Sequence, residues 1–104
     1  MIDMIVRVSE ARLHAGLQAE FLTLLVNMVA EFPQRYRGLV RHEVLIDRGD
    51  PLRVQYLSVW SDEAALVNYA GERWQSDPVT FPEEDRFLTH PLTLHHFETV
   101  PITA

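Results

Sequence analysis

The sequence predicts an α+β domain of order β-α-β-β-α-β, and three observations predict it. Four stretches rich in Val, Ile and Leu alternate in polarity as strands do: Met4–Leu13, Leu39–Ile46, Leu52–Trp60 and Leu92–Val100. Helical spacing of apolar residues intervenes after the first stretch and again after the third. Between the middle two strands lies "DRGDP" (47–51), whose Asp, Gly and Pro mark a hairpin loop. A chain of 104 residues, 47% of them apolar, is read as a single domain spanning 1–104 with enough apolar surface for a core.

Each element has its own signal. From Ala15 to Phe32, Leu17, Phe21, Leu24, Leu25, Met28 and Phe32 form one stripe, which Leu22, Val26 and Val29 widen, so this helix is covered on more than one side. Pro33 and Gly38 bracket its exit loop. Behind the third strand, Ser61 is the expected N-cap of a second helix, with Asp62 and Glu63 placed where the helix dipole favours acids. That helix carries Ala65, Leu66 and Tyr69 and stops near Gly71. Pro82, followed by Glu83, Glu84 and Asp85, predicts a short helix with proline in its first turn.

The order is that of the ferredoxin-like split arrangement, in which two helices cover one face of a four-stranded antiparallel sheet. The uncovered face should then be polar, and here it is not. In the third strand Val54, Tyr56 and Trp60 occupy one face, and Leu57 and Val59 the other; the second strand divides into Leu39 and Leu45 against Val40, Val44 and Ile46. A sheet apolar on both faces needs a second cover. A second copy of the chain, related by a two-fold axis, is the simplest one, so a homodimer is expected.

Composition excludes several classes of chemistry. Without cysteine there is no disulfide, thiolate nucleophile or zinc–sulfur site. All nine basic residues are arginine, so Schiff-base chemistry through a lysine amine is excluded as well. A net charge of −6 argues against nucleic acid as a partner. Arg35, Arg37, Arg41, Arg48 and Arg53 do gather around the hairpin, but Glu43, Asp47 and Asp50 alternate with them, as on a solvated mixed surface. No run is long enough to span a membrane, and the charged start "MIDMIVRVSEARL" is unlike a signal peptide, which makes the cytoplasm the expected location. His95 and His96 are strand neighbours pointing to opposite faces and cannot chelate one metal together; His90 precedes Pro91, and no paired-histidine helix is present. No metal or other cofactor is expected.

Three stretches carry a resemblance to a known family: "RLHAGLQAEFLTLL", "GLVRHEVLIDRGDPLRVQYLSVWSDEAAL" and the closing "LTLHHFE". Together they make nearly the whole chain resemble the antibiotic biosynthesis monooxygenase family, whose members are dimeric α/β barrels of ferredoxin-like subunits with a ligand cavity between sheet and helices. Some members oxidise polycyclic phenols with molecular oxygen and without metal or flavin; others degrade haem, or handle signalling molecules or quinones. The haem-degrading branch uses an Asn, a Trp and a His. At the corresponding positions this chain has Ser9 or Ala11, then Tyr69, then "PVTF" (78–81), with no histidine before His90. All three depart, which argues against haem degradation.

The resemblance therefore implies a cofactor-independent monooxygenase acting on an aromatic or enolisable small molecule. Such an enzyme must bind an aromatic body, withdraw a proton and stabilise the resulting anion. Trp60, Tyr69 and Trp74 could wall the pocket; Tyr56, Asn68, His42 and His96 could supply polar contacts. Tyr69, His42 and His96 are the candidate catalytic residues, the histidines as proton acceptors. Each has a plainer reading. Trp60, at the strand–helix junction, suits the core, Tyr69 could pack inward, and Arg7 and Arg41, lying within strands, need a partner such as Glu43. The alternative function is a non-catalytic small-molecule-binding or interaction domain on the same dimeric fold; isomerase or lyase work on a small ring compound is a third.

Overall fold

The computed structural model describes residues 4–102. The element order is β1 (Ile5–Arg12), α1 (Gln18–Val29), α2 (Phe32–Arg35), β2 (Leu39–Ile46), β3 (Arg53–Trp60), α3 (Glu63–Ala70), α4 (Glu84–Phe87) and β4 (Thr93–Glu98). The four strands form one sheet in the order β2-β3-β1-β4, antiparallel at every junction. This is the ferredoxin-like arrangement the sequence predicts. Phe21, Leu25 and Val29 of α1, Phe32 of α2, Leu66 of α3 and Phe87 of α4 pack with Ala11, Val54, Tyr56 and Trp60 of the sheet in one core.

Four local expectations are corrected. The helix predicted over Ala15–Phe32 breaks after Val29 and restarts at Phe32. Pro33 has no N–H to donate to the Val29 carbonyl, so it is tolerated only in the first turn of a new helix. Asp62, rather than Ser61, caps α3: its carboxylate accepts the Ala65 N–H at 2.8 Å, while the Ser61 N–H donates to the Gly38 carbonyl at 2.8 Å. That tie brings α3 so close to the start of β2 that a Cβ on Gly38 would stand 2.1 Å from the Ala65 Cβ. Pro82 lies two residues ahead of α4, whose cap is Glu83 in the left-handed region at φ 62°.

The fourth correction concerns β2. A register shift between Leu39 and Arg41 turns Leu39 to the helix side, where it pairs with Trp60 and joins the core. Leu39 therefore belongs with Val44 and Ile46 and not with Leu45, because a bulge inverts the alternation on either side of it. On the other side of the sheet, register places Val6, Val8, Leu57 and Val59 together with Leu45 and Phe97. Leu45 is 38% exposed and Phe97 56%. The same side also carries a charged corner. There Glu10 accepts from Arg53 Nε and Gln55 Nε2, both at 2.8 Å, and Arg53 and Arg12 reach on to Asp47 and Asp50. The hairpin arginines are thus partly absorbed by acids, and Arg41 pairs with Glu43. No helix among the described residues is long and apolar enough to cross a membrane.

Candidate functional site

Strand register builds a polar row across the helix-covered face. His42 of β2 stands opposite Ser58 of β3, Ser58 opposite Arg7 of β1, and Arg7 opposite His96 of β4. One step along the strands, the row is Val44, Tyr56, Ser9 and Leu94. His42 and His96 thus share a row, but three interstrand spacings of about 4.8 Å separate them, too far to act on one atom together. His95, opposite Val8, faces the other side of the sheet, as adjacent strand positions must.

The first row is closed over by aromatic side chains. Trp60 is fully buried, and its indole N–H donates to Ser58 Oγ at 2.8 Å. Tyr69 stacks on Trp60, with ring centroids 4.8 Å apart and planes inclined by 22°. Phe32 and Tyr36 meet the Tyr69 ring edge-on at 5.4 and 5.0 Å. Leu66, also fully buried, completes this end. Trp60 and Leu66 thus belong to the buried core at this end, with Tyr69 packed against them.

Arg7 is 3% exposed, and its partners among the described residues are neutral. Nη1 donates to the Trp74 carbonyl at 2.6 Å and lies 3.1 Å from His96 Nε2; Nη2 donates to the Asp77 carbonyl at 3.2 Å. Arg7 thereby fastens the irregular segment after α3 to the sheet. Trp74, itself buried, stands edge-on to His96 with centroids 4.9 Å apart. Burial, then the nearby charges of Arg7 and His95, lowers the proton affinity of His96. The Tyr69 phenol is pushed up to about 12, chiefly by burial, although the Arg7 charge pulls it the other way.

The second row opens into a cleft. Here β1 offers only Ser9 and Ala11, side chains too small to fill the gap beneath α1. Phe21, Leu25, Met28 and Phe32 form one wall, Tyr56 and Val54 the floor beside Ser9 and Ala11, and Val79, Phe81 and Leu92 the far side; Tyr69 closes the end. The cavity itself is small, about 30 Å³. It is a narrow apolar slot whose side-chain polar groups are the hydroxyls of Ser9, Tyr56 and Tyr69. The Tyr56 hydroxyl lies 2.8 Å from His42 Nδ1. Burial, with a further contribution from Tyr69, pushes the Tyr56 phenol well above its ordinary value, so it is neutral at physiological pH.

The sequence-predicted residues are thus divided. Tyr56 and Tyr69 line the slot, and His42 touches it through Tyr56. Trp60 is buried behind Tyr69, and Trp74 is buried beside Arg7 and His96. His96 and Trp74 border a separate open depression with Gln75 and Glu98. Asn68 is exposed on α3 and borders no part of the slot. Phe21, Met28 and Phe81 line the slot and were not singled out by sequence reasoning; apolar helix and loop residues look the same in sequence whether they border a cavity or a core. Ser9 carried the better signal, as a small polar residue in a strand otherwise rich in Val and Ile. Among the described residues no three metal-ligating side chains cluster.

Several solved structures share this fold. A protein of Shewanella oneidensis aligns over 95% of this chain and 93% of its own, at TM-score 0.70 and 20% identity. A candidate antibiotic biosynthesis monooxygenase of Caulobacter crescentus aligns over 96% and 92%, at TM-score 0.76 and 13% identity. One of Nitrosomonas europaea, with the same candidate description, aligns over 100% and 97%, at TM-score 0.75 and 15% identity. At such identities the likeness is one of fold. No functionally curated protein matches the chain. The family model for antibiotic biosynthesis monooxygenases matches residues 4–77, which takes in β1 through α3 and most of the residues around the slot, and by that match this chain belongs to the antibiotic biosynthesis monooxygenase family.

Proposed function

We propose that this protein is a cofactor-independent monooxygenase that binds an aromatic or enolisable small molecule in the slot between α1 and the sheet. The observation that carries the reading is the slot itself: aromatic and aliphatic walls with three hydroxyls as its side-chain polar groups. Such a lining favours a flat, largely apolar ligand with one or two hydrogen-bonding groups. A substrate deprotonated there supplies the electrons for oxygen from its own phenolate or enolate. Tyr69, at the closed end, hydrogen-bonds the developing anion, and Tyr56 contacts the ring or its oxygen. Trp60 supports Tyr69 from behind, Trp74 lies beside His96 rather than at the slot, and Asn68 is exposed outside it. His42 or His96 accepts the proton, and the contact between His42 and a slot residue favours His42.

The working unit in this reading is a cytoplasmic homodimer, with the apolar face of Val6, Leu57, Leu45 and Phe97 covered by a second copy. Burying Leu45 and Phe97, at about 25 cal/mol per Å² of apolar surface, supports that assembly. The narrowness of the slot favours a second reading, a ligand-binding or interaction domain without catalysis. Native mass spectrometry of freshly purified protein, repeated after denaturation, tests both dimer and ligand. A dimer that releases an aromatic molecule is expected; a monomer at micromolar concentration would remove the two-fold assembly. With a turned-over phenol in hand, Tyr69→Phe should fold normally and lose about tenfold or more in kcat, the range for one lost oxyanion donor being larger still. Unchanged turnover would take Tyr69 out of the mechanism, and oxygen-independent conversion would point to isomerase or lyase work.

A further inference from the structure

We propose that Tyr56 and His42 form a proton relay carrying a proton from the slot to solvent through the groove between α1 and β2. The proposal rests on the reading of the slot as a substrate site and adds to it a route. Tyr56 borders both spaces: it lines the slot, and with His42 it lines the outer groove beneath Val26, Val29 and Ala30 of α1. Between the two spaces stands one hydrogen bond, 2.8 Å from the Tyr56 oxygen to His42 Nδ1. The rings meet edge-on, with centroids 5.8 Å apart, so the contact is held by packing as well as by the bond. An apolar slot disfavours a free charge, and the Tyr56–His42 contact leads the proton away from it.

The transfer balances without any other reagent than water. A substrate O–H gives its proton to the Tyr56 oxygen while the Tyr56 O–H proton moves to His42 Nδ1. Tyr56 ends as it began, a neutral phenol, and the substrate becomes an anion opposite an imidazolium. The imidazolium then yields one proton to water in the groove. Burial disfavours the Tyr56 phenolate, so the residue passes protons on rather than keeping the charge. The groups facing His42 are Tyr56 from β3 and Glu43 at the groove margin; α1 presents only Val26, Val29 and Ala30, none of which titrates. Ser58, opposite His42 in the register, is occupied by the Trp60 indole.

4-Nitrophenol is a suitable probe, because its ionised form is coloured and its binding can be followed separately by quenching of protein fluorescence. Bound to the wild-type protein, it should ionise at lower pH than in water, since its proton can move to His42. Bound to His42→Gln it should ionise at higher pH, because the apolar slot then disfavours the anion with no cation to offset it, and Tyr56→Phe should shift it the same way by removing the hydroxyl that links the bound phenol to His42. A tenfold fall in the ionised-to-neutral ratio, equal to about one pH unit, is the expected size. Far-UV circular dichroism and thermal melts check that both variants fold. Binding with the same titration curve in all three proteins would overturn the relay and leave the slot reading standing. Failure of the wild type to bind would overturn both. Nitrogen-detected NMR of the free protein gives a further check: the relay requires the neutral His42 ring to carry its proton on Nε2, and a ring protonated on Nδ1 would overturn it.

Discussion

The two ends of the helix-covered face use the same kinds of residue and reach opposite results. At the closed end Trp60, Leu66 and Arg7 are buried, and Tyr69 stacks on Trp60. At the open end, one step along the same strands, Ser9 and Ala11 leave a slot beneath α1. The aromatic residues do not decide the difference, since Tyr56 and Phe32 stand at the slot as Trp60 and Tyr36 stand at the core. The size of the β1 side chain does. A central strand sets the floor height for everything packed above it, and β1 rises at Arg7 and falls at Ser9.

The largest expected effect is at the closed end. Trp60→Ala would remove the side chain that Tyr69 stacks on and leave Ser58 Oγ without its indole donor. Deleting a buried Trp typically costs about 3–5 kcal/mol, a large share of the ~5–15 kcal/mol that holds a domain folded. Urea denaturation should show a large fall in the midpoint. A loss under 1 kcal/mol would mean the closed end is loosely packed, and the contrast with the slot would collapse.

At the open end the expectation reverses. Ser9→Val adds methyl groups beside the slot, so stability should fall by no more than about 1–3 kcal/mol, the usual cost of added methyl groups. Binding of a flat aromatic probe such as 1-naphthol should nevertheless be lost, because the floor rises into the slot. Undiminished binding would place the ligand elsewhere.

How much of this was legible beforehand follows the same division. The strands, the hairpin and the helix stripe could be read because alternation and 3.6-residue spacing are local properties of sequence. The end of the first helix was placed three residues late and the cap of α3 one residue early, since Ser61 and Asp62 are equally good caps until the Ser61 backbone is seen tied to Gly38. Leu39 was put on the wrong face because a bulge leaves no mark in a run of Leu and Val. At the site, the aromatic residues were found but their depth was not. Trp60 lies behind Tyr69 and Tyr56 within the slot, a distinction set by register between strands, while Trp74, on no strand, packs against His96. Arg7 shows the limit most clearly. Sequence reasoning asked for a partner and expected an acid or a wet cavity. The partners found are two backbone carbonyls and His96, which no charge pattern could reveal.

The smallest expected effect also belongs to the closed end, and it is one of pH. His96 lies against Arg7 and Trp74, with its proton affinity lowered from the ordinary 6.5 first by burial and then by the charges of Arg7 and His95. The unfolded chain therefore takes up this proton at a higher pH than the folded one does. A histidine of this kind imposes no penalty above 6.5, and its stability contribution is lost as the pH falls from 6.5 through the lowered folded value. The melting temperature of the wild type should accordingly decline through that window, and His96→Gln should flatten the decline while preserving a hydrogen-bonding side chain beside Arg7. The two phenols that line the slot have no such effect in this range: Tyr56 is raised by burial and Tyr69 is raised to about 12, so neither changes its charge there. A slope that survives His96→Gln would assign the acid sensitivity to another group and would leave the two ends of the face alike in their response to protons.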